Sequence, residues 1–263
     1  MTTDSVPPAD SLSHTTDAAD PASNGIGRLR ERSLHAALKD YFWQEGDQIE
    51  VTVDGMVIDL VHGEQLVEFQ TRGLYRLRRK LVRLLPEHPV CVVYPLPLIR
   101  WIVTLDADGE TMLRRRKSPR RGRPVDLFDE MYTIADLLLD PNMTLKLVLT
   151  HEDQIRCDDG RGSWRRKGIS IVDRVLLKVV KVIELQTADD VLALVPELVL
   201  PATHREIREQ LGVSARLAQR ISMSLRRLGC IEVVEKRGRS LVFDWIGSPV
   251  LSARGSGRHC GEG

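Results

Sequence analysis

The 263-residue chain is poor in cysteine, in aromatic residues and in long apolar stretches. Its four cysteines, Cys91, Cys157, Cys230 and Cys260, stand far apart with no CxxC pair. That spacing excludes a disulfide scaffold and a structural zinc site, and reads as free thiols in a reducing, cytoplasmic compartment. The longest apolar run, Val90 to Ile99, holds two prolines and falls short of the roughly 18 residues a membrane span needs. No membrane partner is therefore expected. Collagen-like and coiled-coil compositions are absent as well. So are a Gly-rich phosphate loop, a GxGxxG fingerprint and a Ser-His-Asp order, which weakens kinase, dehydrogenase and hydrolase readings. His62, His88, His151 and His204 show no metal-ligand spacing. The formal charge is +1, which taken alone argues against a polyanionic partner.

That sum conceals an uneven distribution. Residues 1–27 carry Asp4, Asp10, Asp17 and Asp20, no Lys or Arg, and little to bury, so they read as a disordered acidic leader. They lack the basic start and apolar stretch of a signal peptide. Setting the leader aside leaves 38 basic against 33 acidic residues, about five net positive charges. The basic residues are bunched. Six of twelve lie between Arg72 and Arg83, seven of ten between Arg114 and Arg123, and four of seven between Arg161 and Lys167 around Trp164. One such cluster is an ordinary solvated face; three point towards a polyanion. Trp164 reads as a hairpin-core residue, with a nucleic-acid stacking platform as the alternative.

Periodicity divides the remainder into two modules, 28–185 and 186–246, with a flexible tail over 247–263. The pattern predicts a helix over 28–44, strands at 48–53, 56–61 and 65–70, and a basic helix over 73–85. A short buried strand is expected at 90–94 and another at 99–105. A basic loop then runs to Pro124, a helix covers 126–139, and 145–155 pairs with 168–175 as a hairpin. On the first helix His35 lies one turn from Lys39 and one turn from Glu31, which reads as a surface ion pair. In the second module, Thr187 with Asp190 and Thr203 with Glu206 mark helix starts, and Ser214 caps a third helix ended by Gly229. Strands at 231–234 and 240–243 flank a basic tip.

The second module resembles a winged helix-turn-helix domain over about 186–245. The resemblance rests on Thr203, Ile207, Leu211-Gly212-Val213-Ser214, the Leu225/Leu228-Gly229 helix end and the basic tip. It implies that Arg216, Gln219 and Arg220 reach base edges in a major groove. Arg226, Arg227, Lys236, Arg237 and Arg239 would meet phosphates. A winged helix used for protein contacts is the alternative.

In the first module, Asp59 interrupts an apolar strand, and Glu68 and Gln70 share one face of the next. Two carboxylates held together need a proton or cation between them, and oxygen ligands favour a hard ion. This arrangement resembles the PD-(D/E)XK, restriction-endonuclease-like nuclease superfamily over about 28–95. The fold class implied is α/β (α+β), a restriction-endonuclease-like core with a mixed sheet plus a small winged helix. The resemblance makes Asp59 and Glu68 ligands of Mg²⁺ or Mn²⁺, with Gln70 helping to place the attacking water and Glu31 adding a carboxylate. The Phe69 carbonyl is a further candidate ligand. Arg76, Arg79 and Lys80 would engage phosphates.

Ile58 stands where the motif has proline, and Gln70 where it has lysine. Gln cannot carry charge or act as a base, so Arg72 or Lys80 is the candidate substitute. The expected function is a metal-dependent DNA endonuclease. The alternative is a catalytically inactive nuclease-fold DNA-binding or regulatory protein, and a protein adaptor is the third class. A homodimer is left open. The whole chain also resembles an uncharacterised prokaryotic family that joins these two modules.

Overall fold

The computed structural model describes residues 33–247. Glu31, the acidic leader and nearly all of the C-terminal tail lie outside the described residues. Ser33 caps the first helix, α1 (Leu34–Phe42), its hydroxyl accepting from the Ala36 N–H at 3.3 Å. Three antiparallel strands follow: β1 (Gln48–Val53), β2 (Met56–His62) and β3 (Gln65–Phe69). Asp54 and Gly55 both take positive φ, the geometry a two-residue hairpin turn needs to match strand twist. A 3₁₀ turn over Leu74–Arg76 leads into α2 (Arg78–Leu84), which carries the chain over to β4 (Val90–Leu105). Strand β4 pairs parallel to β3, a relation that requires such a crossover.

The rest of the first module extends this sheet. Strand β5 (Met112–Lys117) pairs antiparallel with the distal part of β4. Beyond a short helix α3 (Phe128–Met131), β6 (Met143–Cys157) runs parallel to β4 and β7 (Ser170–Leu185) antiparallel to β6. The result is an α+β fold on a seven-stranded mixed sheet, ordered β1-β2-β3-β4-β6-β7 with β5 on β4. Leu34 and Leu38 of α1 pack on Leu60, Val67, Phe69 and Val93. Leu74, Leu77, Leu81 and Leu84 pack with Ile58, Leu66, Val90 and Val92.

Three local expectations are corrected. The stretches 90–94 and 99–105 form one strand, bent where its pairing to β6 shifts between Pro97 and Ile99. The basic segment before Pro124 contains β5, every residue of which is exposed. The helix expected over 126–139 is broken: α3 is one turn, flanked by 3₁₀ turns at Pro124–Leu127 and Ala135–Leu139. Most of its apolar residues are nevertheless buried, between the sheet and the C-terminal module, with Leu139 exposed.

The second module comprises α4 (Ala188–Leu192), β8 (Ala202–Thr203), α5 (His204–Leu211), α6 (Ala215–Arg227), β9 (Ile231–Arg237) and β10 (Ser240–Trp245). Its strands form a separate antiparallel sheet, β8-β10-β9. The three expected caps are formed: Thr187 accepts from Asp190 N, Thr203 from Glu206 N and Ser214 from Leu217 N. One continuous apolar core joins this module to the first, from Ile58 and Leu66 through Phe128 and Met131 to Ile221 and Phe243. No helix among the described residues is long and apolar enough to cross a membrane.

Candidate active site and nucleic-acid surfaces

Strands β2 and β3 pair from His62/Gln65 back to Leu60/Val67, and there the ladder stops. Asp59 is the next residue on β2. Its carboxylate takes the Phe69 N–H at 2.9 Å, so a side chain substitutes for the main-chain partner and the strands splay. Glu68 accepts from the Asp59 N–H at 3.4 Å. Both carboxylates open into one cleft, shared with His35, Gln70, Arg72 and Arg76. The expected juxtaposition of Asp59, Glu68 and Gln70 is therefore present.

Nitrogen-bearing side chains reach the pair from both helices. From α1, His35 Nε2 lies 3.3 Å from Asp59 Oδ2 and Lys39 Nζ 3.8 Å from Asp59 Oδ1. From α2, Lys80 Nζ sits 2.5 Å from Glu68 Oε1 and also donates to the Val57 carbonyl. Glu68 is 5% exposed. Burial raises its pKa above the ordinary carboxylate value, as does the nearby Asp59 charge, while the Lys80 bond and charge pull it down. Gln70 turns its amide to the Arg72 carbonyl and, at 3.4 Å, the Gly73 carbonyl. Arg76 lies on the rim of the cleft, and with Arg79, Lys80 and Arg83 it lines an adjoining basic groove.

Sequence reasoning missed a second polar cluster beside this cleft. Glu152 on β6 is fully buried, and Arg174 on β7 meets it with Nε at 2.8 Å and Nη2 at 2.9 Å. Arg174 Nη1 also donates to the Thr71 carbonyl at 3.0 Å, tying β7 to the segment after β3. Arg174, beside Val175 and Leu176, carried the signal that singled out Asp59, a charge inside an apolar strand, whereas Glu152 sits in the polar run Thr150-His151-Glu152-Asp153-Gln154 and carried none.

The basic surfaces fall differently from expectation. Trp164 is 83% exposed, with the Arg165 guanidinium 5.4 Å from its ring, so it is not a hairpin-core residue. Arg114, Arg116 and Arg156 occur on paired positions of β5, β4 and β6, around Ile102 and Thr104. On α6, Arg220 turns to the first module. Its guanidinium holds Asp129 Oδ1 at 2.8 Å and stacks 4.3 Å from the Tyr132 ring. Arg216 approaches the same carboxylate at 3.8 Å, and Arg227 donates to the Tyr132 carbonyl. Arg123 returns the contact at 3.0 Å to the Leu211 carbonyl. Gln219, Arg226, Lys236, Arg237 and Arg239 remain exposed, although Arg237 pairs with Glu235 at 2.9 Å and Glu206 at 3.4 Å.

The fold and cleft define a mixed-sheet α+β domain with a carboxylate pair in a splayed strand junction, joined to a small helical module. A family model described as "Domain of unknown function (DUF8091)" matches residues 32–186, and the chain belongs to that family. The match ends where β7 gives way to the second module. An uncharacterized protein of Treponema pallidum (strain Nichols) is 38% identical over 223 residues, covering 83% of this chain and 86% of the relative. That similarity extends beyond the family domain. No solved structure matches the chain significantly.

Proposed function

We propose that the protein is a metal-dependent DNA endonuclease of the PD-(D/E)XK, restriction-endonuclease-like superfamily, with an attached winged helix. The observation that carries this reading is the pair Asp59 and Glu68 opening into one cleft. The order α1-β1-β2-β3-α2-β4, with β4 parallel to β3, supports it. So do the exposed Trp164 and the basic groove of Arg76, Arg79 and Lys80.

The cofactor this reading calls for is Mg²⁺ or Mn²⁺, held by Asp59 and Glu68. Magnesium takes one or two carboxylates and completes its shell with water and substrate phosphate, and here two carboxylates line one cleft with Phe69, while no group of three or more His, Cys, Asp or Glu among the described residues is placed to hold a metal. A metal held by Asp59 and Glu68 supplies Lewis-acid polarisation of the phosphate and a more acidic water. The chain's own groups do the rest. Lys80, now on Glu68, is within reach to offer its charge to the scissile phosphate, a role Gln70 cannot fill. Arg76 and Arg79 hold the neighbouring phosphates, and Gln70 orients water by hydrogen bonding. In the second module, Arg216, Gln219, Arg226, Lys236, Arg237 and Arg239 are exposed groups that contact duplex DNA, while Arg220 and Arg227 secure α6 to the first module.

A second reading, a nuclease-fold DNA-binding or regulatory protein without cleavage, is favoured by one observation. Lys80 neutralises Glu68 and Gln70 is tied to main-chain carbonyls, an arrangement complete without a metal. Incubation with supercoiled, branched and single-stranded DNA in Mg²⁺ or Mn²⁺ separates the two. Under the nuclease reading Asp59→Ala and Glu68→Ala each lower nicking by about 100-fold or more, the scale at which lost transition-state stabilisation shows. DNA binding without cutting on every substrate in both metals establishes the second reading instead.

A further inference from the structure

Strand β4 lacks a neighbour on one side over part of its length. Strand β3 pairs with Val90–Val93 and β5 with Trp101–Leu105, while β6 follows from Val90 to Leu105. Pro95 and Pro97 fall in the gap, and proline has no N–H that would need a partner there. The chain after β5 closes the far wall. Gly122 donates to the Leu98 carbonyl at 3.2 Å, and a Cβ at that glycine would lie 2.3 Å from the Pro97 oxygen. Only glycine allows so close an approach, which brings Arg120 to the rim. The resulting half-open cavity is about 340 Å³ and meets the Asp59–Glu68 cleft at Thr71 and Arg72.

Four arginines line this cavity: Arg72, Arg100, Arg120 and Arg174. The charge of Arg174 is met by Glu152. The carboxylates on the wall are also engaged. Asp129 is held by Arg220, Asp126 accepts from the Arg123 N–H at 3.0 Å, and Glu130 from the Leu74 N–H at 3.1 Å. Arg100 differs from all of these, because its Nε is buried and meets no hydrogen-bond partner among the described residues. Burial first, then the Arg174 charge, holds its pKa below the usual arginine value, with Glu152 opposing. The guanidinium stays charged regardless, since arginine does not deprotonate in proteins. Arg100 is half-buried as a residue and lines the cavity, so a guanidinium charge that meets no acceptor at Nε is open to an anion entering there.

We infer that this cavity is a binding site for a phosphate monoester, whose oxygens satisfy Arg100 with Arg72 and Arg120 alongside. A monoester offers three non-bridging oxygens and up to two negative charges to forked donors, where an internal diester offers two and one. The volume lies at the lower end of the roughly 300–1,000 Å³ of small-molecule sites, enough for phosphate with part of an attached sugar. Tyr94, also on the wall, is kept neutral chiefly by burial and so retains its O–H donor. A free nucleotide and the phosphorylated end of a strand carry the same recognised chemistry. The inference concerns binding alone and goes beyond the proposed cleavage, so either can fail without the other.

The test is a metal-free titration of the full-length protein followed by calorimetry or fluorescence anisotropy. The probes are a nucleoside 5′-monophosphate with its nucleoside, and one short single strand bearing a 5′-phosphate, a 3′-phosphate or neither. At least one phosphorylated probe is expected to bind ten-fold or more tightly than its unphosphorylated match. Preference for the nucleotide identifies a small-molecule source and preference for one strand end a nucleic-acid source; both support the site. Arg100→Gln is expected to abolish the preference while leaving binding of the unphosphorylated strand within about two-fold. Arg120→Gln, at an exposed rim position, reduces the preference without touching the buried wall. Equal binding with and without phosphate in the wild type overturns the proposal. So does a preference that survives both substitutions in variants whose melting matches wild type.

Discussion

The buried charges of the sheet module find their partners far along the chain, whereas the helix starts of the C-terminal module are closed by partners three or four residues away. Arg174 is bound by Glu152, 22 residues before it, and donates to Thr71, 103 residues before it. Asp59 meets His35, 24 residues away. In the second module, Thr203 and Glu206 cap each other, Ser214 caps Leu217, and Arg205 pairs with Glu209 one turn on. The difference is one of where stability resides. The first module depends on long-range assembly around a few buried ions, while the helices of the second are set by local caps, each worth little, and are tied back to the first through the shared core and Arg220 on Asp129.

Substitutions sharpen that contrast. Glu152→Ala leaves Arg174 buried without a counter-charge, and breaking such a pair costs about 3–5 kcal/mol. Denaturant unfolding of the full chain measures it, and a loss below about 1 kcal/mol would mean that the ion pair is not a keystone of the sheet module. Thr203→Ala removes one helix cap, for which about 1 kcal/mol is expected. Hydrogen exchange should confine that loss to α5 and its neighbours; protection lost equally in β6 would erase the distinction between modules.

The smallest effect is one of pH. His204 Nε2 lies 2.7 Å from Ser222 Oγ and its ring 4.7 Å from that of Phe243, and burial holds its pKa below 6.5. The unfolded chain therefore binds the proton more readily than the folded one. The contribution of neutral His204 is fully present above pH 6.5 and is lost as pH falls through the lowered folded value. His204→Gln should flatten this part of the melting-temperature profile below pH 6.5. An unchanged slope would assign it to another group.

The same contrast explains what could be read in advance. The caps at Thr187, Thr203 and Ser214 were legible because a capping pattern needs only residues three apart. The β1–β2 hairpin was legible from Asp54-Gly55 with flanking alternation, and Asp59 because aspartate is out of place in a strand. Strand β5 was not legible. Its Leu113-Arg114-Arg115-Arg116-Lys117 has no alternation, and it is a strand because the distal edge of β4 offers main-chain groups that need partners. The helix expected over 126–139 failed for a related reason. Val125, Leu127, Phe128, Met131, Ile134 and Leu138 are all buried, and the segment follows the surfaces around it rather than its own period. Arg220 was placed correctly on the polar face of α6, but only the packed modules show that this part of the face meets Asp129.

By itself, then, the sequence determined the local grammar: the strands β1 to β3, the helices and strands of the second module with their caps, which carboxylates stand out, and how unevenly the basic residues are spread. These features depend on neighbours within a few positions. Tertiary structure alone decided that Lys80 would lie on Glu68, that Arg174 would be locked by Glu152, and that Pro95 and Pro97 would border a cavity with Arg100 in its wall. Each of those depends on strand register and on the crossing of distant segments, and no short-range pattern encodes which buried charge will be left without a partner.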